Sequence, residues 1–104
     1  FDGNGQVIHL FPDPTAPPQS QPPAAPLQIG GAEGLGGLRL RAAPPFGSEV
    51  VIAFATTAPL ALGPMPRVEP AADYLARLAA ALSVAAEAPG FRGEWAYYVL
   101  TIAP

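Results

Sequence analysis

The sequence predicts an α+β domain: a small, mostly antiparallel β-sheet with one amphipathic helix packed on it. Two stretches of period-two alternation and one helical stripe carry that prediction. Residues 49–57 read E-V-V-I-A-F-A-T-T and residues 94–102 read E-W-A-Y-Y-V-L-T-I. In both, alternate side chains fall on opposite faces, and β-branched or aromatic residues dominate. Between them, Ala71, Leu75, Leu78, Leu82 and Ala85 recur at spacings of four and three, which places them on one helix face. At 104 residues the chain supports a single domain, 1–104.

The elements follow in chain order. Residues 1–5 (F-D-G-N-G) signal a hairpin turn, because Gly and Asn tolerate positive φ. A hairpin needs a strand on each side, and only residues 6–11 follow. The partner strand is therefore expected to be truncated upstream, disordered, or replaced by another strand. The chain opens on Phe1 rather than Met and reads as a piece of something longer. In the first strand, 6–11, Ile8 and Leu10 share one face and Val7, His9 and Phe11 the other. Pro12, which has no N–H to give, ends it. Residues 13–26 form a Pro-rich loop of extended polyproline character. Residues 27–29 read as a short strand or anchor, and 30–37 as a Gly-rich turn.

Leu38 and Leu40 alternate with Arg39 and Arg41, so 38–42 reads as a half-exposed strand. It is expected to form a hairpin with 49–57 through the turn at 44–48. Beyond Glu49, neither face of 49–57 carries a charge, which predicts a central strand buried on both sides. Residues 60–69, interrupted by Pro64 and Pro66, read as a connection. The helix is expected to open with Pro70 in its first position and to stop at Ala88-Pro89-Gly90. Glu69 would be a weak N-cap, and Asp73 could pair with Arg77 on the exposed side. In the last strand Trp95, Tyr97, Val99 and Thr101 share one face, and Ala96, Tyr98, Leu100 and Ile102 the other. A right-handed parallel pairing with 49–57 across the helix is the alternative to an antiparallel one.

Composition excludes several functions. Net charge is −3, with five Arg, no Lys and no basic cluster, so no nucleic-acid partner is expected. The absence of Cys removes disulfides, thiolate metal sites and thiol nucleophiles. No apolar run approaches the ~18 residues of a membrane span, and no signal peptide is evident. The Ala, Pro, Gly and Arg bias suggests a GC-rich bacterial source, in either the cytoplasm or an exported protein.

Three pieces carry a family resemblance: D-G-x-G-x-V-x-x-L-F-P from Asp2, P-P-F-G-x-E from Pro44, and A-x-A-T-x-x-P from Ala53. Together they resemble the bacterial domain of unknown function 4384, over roughly residues 1–60. That family is found appended to caspase-like peptidases or serine/threonine kinases. The resemblance implies an accessory domain of a multidomain protein and supplies no catalytic residues.

The candidate sites are weighed against plainer roles. His9 is the one His; Ser20, Ser48 and Ser83 lie in a loop, a turn and a helix, none in a nucleophile elbow, so His9 reads as structural. Asp2-x-Asn4-x-Gln6 begins like a calcium loop, but Val7 stands where Gly is required and Asp13 where a bidentate Glu is required. Gly34-x-Gly36 lacks the flanking strand and helix of a dinucleotide fingerprint. The carboxylates at 33, 49, 69, 73, 87 and 94 are scattered and read as solvated surface rather than a glycosidase pair. Two features remain as an interaction surface: Pro14 and Pro17 in P-T-A-P, as a docking ligand, and Trp95, Tyr97 and Tyr98, as a platform.

The expectation is thus a non-catalytic accessory or protein-interaction module, without cofactor or metal. Its partners would be other domains of the parent protein or a separate protein, without membrane insertion, and with dimerisation through an unpaired edge strand as an option. The alternative is a small-ligand or glycan sensor using the aromatic strand in a pocket between helix and sheet.

Overall fold

The computed structural model describes residues 1–11 and 42–104. Its elements are β1 (Gln6–Ile8), β2 (Gly47–Thr56), β3 (Val68–Pro70), α1 (Ala71–Ala85) and β4 (Gly93–Ile102). The class is α+β as expected, with the strands divided into two antiparallel pairs, β1–β3 and β2–β4. The Pro-rich loop at 13–26 with Pro14 and Pro17, the segments 27–29 and 30–37, and the strand expected at 38–42 (all but its last residue) lie outside the described residues.

The first pair begins at the turn that the Asp-Gly and Asn-Gly steps announce. The Asp2 carboxylate accepts from the Asn4 and Gln6 N–H groups, both at 2.9 Å, and the Asp2 N–H donates to the Gln6 carbonyl at 2.9 Å. Gly5 closes the turn at φ 76°, a conformation that side chains with a Cβ resist. β1 then pairs with β3, Val7 opposite Glu69, and not with a strand on the other side of the turn. The 60–69 connection thus hides most of a strand, short because Pro66 stands two residues before it and Pro70 is its last residue. The first strand ends at Ile8, shorter than its alternation suggested.

The helix starts one residue later than expected, with Pro70 as its N-cap. No side chain caps it; the Ala71 N–H is taken by the Gly5 carbonyl at 2.8 Å, so β1 itself satisfies one of the first-turn donors. The buried face is Tyr74, Leu78 and Ala81 rather than the stripe through Leu75, which is 48% exposed. The buried face is turned by about half a residue step, roughly 50°, with Leu78 common to both, because Tyr74 brings the larger apolar surface inward. Its ring meets Phe1 (centroids 6.3 Å apart) and the edge of His9 (4.8 Å). Val7, Tyr74 and Leu78 form the core, packed by Phe1, Leu60, Leu62, Met65 and Leu82. Two successive turns, with Glu87 and Ala88 N–H groups reaching the Val84 and Ala85 carbonyls, end the helix before Pro89.

The second pair is a ten-residue ribbon. β2 and β4 run antiparallel from Gly47 opposite Ile102 to Thr56 opposite Gly93, which excludes the parallel alternative. Neither strand contacts β1, β3 or α1. The expectation that β2 is buried on both faces is therefore overturned: Val51 and Phe54 are exposed, on opposite faces. Among the described residues β2 has one strand neighbour, β4, and its uncharged faces are not covered by the helix.

Candidate functional site: a ribbon with one uncharged face, and a buried ion pair

Directly opposed residues of an antiparallel pair share a face. One face of the ribbon accordingly gathers Val50 with Val99, Ile52 with Tyr97, and Phe54 with Trp95. Ser48, Thr101, Thr56 and Gly93 complete it, so the face holds no charged side chain. Trp95 and Tyr97 are each 62% exposed. Their rings stand 5.6 Å apart and 23° from parallel, an offset stack that covers part of each ring face with the other. Tyr98, 70% exposed, lies on the reverse face opposite Val51. The three aromatics named from sequence are thus all at the surface, but the two faces divide them.

The edges of the ribbon are as informative as its faces. The Phe1 amino group donates to the Val50 carbonyl at 2.9 Å, and the Val50 N–H donates to the Phe1 carbonyl at 3.1 Å. This reciprocal exchange is one rung of an antiparallel ladder, so Val50 directs its backbone away from β4. Alternation then turns the N–H and C=O of Ile52 and Phe54 the same way. At the far end the Thr57 N–H donates to the Arg92 carbonyl at 2.9 Å, as that alternation requires. Among the described residues, no strand meets the outward groups of Ile52 and Phe54.

A polar cluster sits under the helix. Glu69, 5% exposed, accepts from Arg77 through both carboxylate oxygens, each at 2.8 Å, and Oε2 also lies 2.7 Å from His9 Nε2. β3 turns Glu69 inward because Val7, its partner across the ladder, is also inward. Arg77 reaches it from the second turn of α1, so neither the expected Asp73–Arg77 pair nor the Glu69 cap forms. The Arg77 bonds, with His9 adding to them, hold the Glu69 carboxyl below its ordinary value against the opposing effect of burial. Burial, then the Glu69 charge, raises the Tyr74 phenol above its ordinary value, with Arg77 opposing. Among the described residues no hydroxyl nucleophile is bonded to either the base or the carboxylate of the cluster, and its bidentate geometry is that of a structural brace. Sequence spacing gave no sign of it: Glu69 and Arg77 are eight residues apart, and His9 is 60 from Glu69.

A shallow groove beside the helix is lined by small and apolar side chains, including Leu62, Ala81 and Val84, with Arg77 at one wall. No Trp or Tyr lines it, so the aromatic pocket envisaged between helix and sheet is not formed there. Among the described residues there is no group of three or more potential metal ligands, and no helix is long and apolar enough to cross a membrane.

No protein-family model matches the chain, and neither the curated proteins nor the solved structures yield a match.

Proposed function

We propose that this chain is a non-catalytic protein-interaction module, an accessory part of a larger bacterial protein, and that the β2–β4 ribbon is its working surface. The resemblance to the domain of unknown function 4384 supports the accessory setting. The observation that carries the reading is the uncharged face through Phe54, Trp95, Tyr97 and Val99, which stands clear of the helix and its core. An apolar surface of this kind suits a protein partner, since aromatic anchors supply most of the energy of such contacts. The Trp95–Tyr97 stack favours a protein over a sugar, because a ring face turned on its neighbour is lost to a pyranose. The bidentate Glu69–Arg77 pair and the Tyr74 core brace the body to which the ribbon is joined.

The test is a binding screen of the intact chain against an unbiased peptide library, with Trp95→Ala and Tyr97→Ala as ribbon variants and Leu75→Ala as an exposed helix control. The reading expects ligands whose binding the ribbon variants weaken by at least about tenfold and the control does not. Ligands insensitive to both ribbon variants would refute it. Saturable quenching of Trp95 by neutral oligosaccharides would favour the glycan alternative.

A further inference from the structure

Asn4 is the one Asn of the chain, and Gly5 follows it. Both are exposed in the turn that opens β1. Asn4 gives its N–H to the Asp2 carboxylate, but its side-chain carboxamide forms no hydrogen bond among the described residues. The Gly5 N–H reaches the Asp2 carbonyl at 3.4 Å, longer than a good N–H···O bond. Gly5 also lacks the Cβ that would crowd its nitrogen. An unbonded side-chain amide is thus followed directly by a loosely held main-chain nitrogen. We propose that Asn4–Gly5 is a site of self-modification, at which Asn4 loses its amide as ammonia and the turn is rebuilt on a β-linked aspartate.

In the first step the Gly5 nitrogen bonds to Asn4 Cγ and the Cγ–Nδ2 bond breaks. The side-chain amide leaves as ammonia, taking the proton that Gly5 gives up, and a cyclic imide remains. Water then opens the imide. Cleavage between Cγ and the Gly5 nitrogen gives ordinary aspartate. Cleavage between the Asn4 main-chain carbonyl carbon and that nitrogen leaves a chain that runs through the side-chain carboxyl. Water is the co-reactant, and nothing is oxidised or reduced. Every other reacting atom belongs to Asn4 or Gly5, so no other part of the chain has to take part. Asp2-Gly3 could close the same ring, but its carboxylate is held by two N–H groups and would expel water, so ammonia distinguishes Asn4 from it.

The β-link inserts one main-chain atom between Asn4 and Gly5. A single oxygen, Asp2 Oδ1, accepts from the Asn4 N–H before that atom and from the Gln6 N–H after it, both at 2.9 Å. The insertion drives these donors apart, and Gln6, the first residue of β1, loses its acceptor. Ordinary aspartate keeps the main chain and both bonds. The site belongs to the body of the molecule and works whether or not the ribbon binds a partner.

The experiment holds the intact chain at mildly alkaline pH beside a free peptide of residues 1–8 as the unstructured reference. Released ammonia is measured, and mass spectrometry with fragmentation separates the two aspartate forms. Asn4 in the folded chain should convert within roughly tenfold of the peptide's rate, faster as pH rises, with ammonia matching the product. Asn4→Gln keeps the backbone bonds and should slow conversion by at least about tenfold, because its longer side chain places the reacting carbon less well. In the purified β-linked form the Gln6 amide should exchange at least roughly tenfold faster than in the parent, while Asn4→Asp leaves it unchanged. Conversion slower than that limit would mean that the turn protects the bond, and would overturn the site. Ammonia released equally by Asn4→Gln would assign it to another amide and overturn it too. Conversion with an unchanged Gln6 amide would overturn the rebuilding of the turn.

Discussion

Replacing Arg77 with Met keeps the aliphatic stem on the helix and deletes the charge that faces Glu69. The carboxylate it abandons is 5% exposed and keeps His9 as its remaining partner. Breaking a fully buried pair costs about 3–5 kcal/mol. The Arg77 side chain is 36% exposed, so solvent screening takes part of that away, and about 2 kcal/mol is the expected loss at neutral pH. For a folded unit of this size that corresponds to about 8–16 °C in Tm. The pH dependence carries the sharper signature. The Glu69 carboxyl is held below 4.5, so its contribution is present above that value and lost as pH falls through the lowered folded one. The gap between Arg77→Met and the parent should therefore narrow as pH drops below 4.5. Thermal melts followed by far-UV circular dichroism at neutral and acid pH measure both quantities. Adding Glu69→Gln to Arg77→Met should recover part of the loss by removing the stranded charge. A Tm within about 1 °C of the parent at neutral pH, or a gap independent of pH, would refute the assignment of a buried, charge-stabilised pair.

Other consequences are simpler to check. Leu78→Ala should cost about 2–5 kcal/mol in chemical denaturation, since Leu78 is one of the buried residues of a small core. Asp2→Ala leaves the Asn4 and Gln6 N–H groups without their acceptor and should cost about 1–2 kcal/mol, read as faster exchange at those two amides. Trp95→Ala should cost less than about 1 kcal/mol, because its side chain is 62% exposed and stacks on Tyr97 in the open; a loss of several kcal/mol would mean that the aromatic face is core. Spectrophotometric titration should place Tyr74 above 10.0, with the Tyr74 contribution to stability fading as pH rises past that value.

The readable parts of this fold were those fixed by local chemistry. The Asp2–Gly5 turn, the alternation of β2 and β4, and the helix stop before Pro89 each follow from a few adjacent residues. Helix phase did not follow, because Leu75 and Tyr74 are both good core residues and only the positions of Phe1 and His9 favour the ring. β3 was hidden by its prolines, and the Glu69 brace by its reach across elements. The misreading of β2 has the most general cause. Absence of charge along a strand reports that water is unwelcome there; whether the cover comes from the same chain is a matter of topology, which alternation does not encode. The aromatic residues of β4 were picked out as a surface from their type, while their division between two faces needed the strand partner.

That the ribbon shares no contact with the helix and its two short strands has a consequence for cooperativity. Among the described residues the two parts are coupled through the Phe1–Val50 bonds, the approach of Gly3 to Pro45 and the connecting segments, so little free energy is lost by one when the other melts. Tryptophan emission, which reports the ribbon, and helical ellipticity, which reports the body, should trace separate transitions.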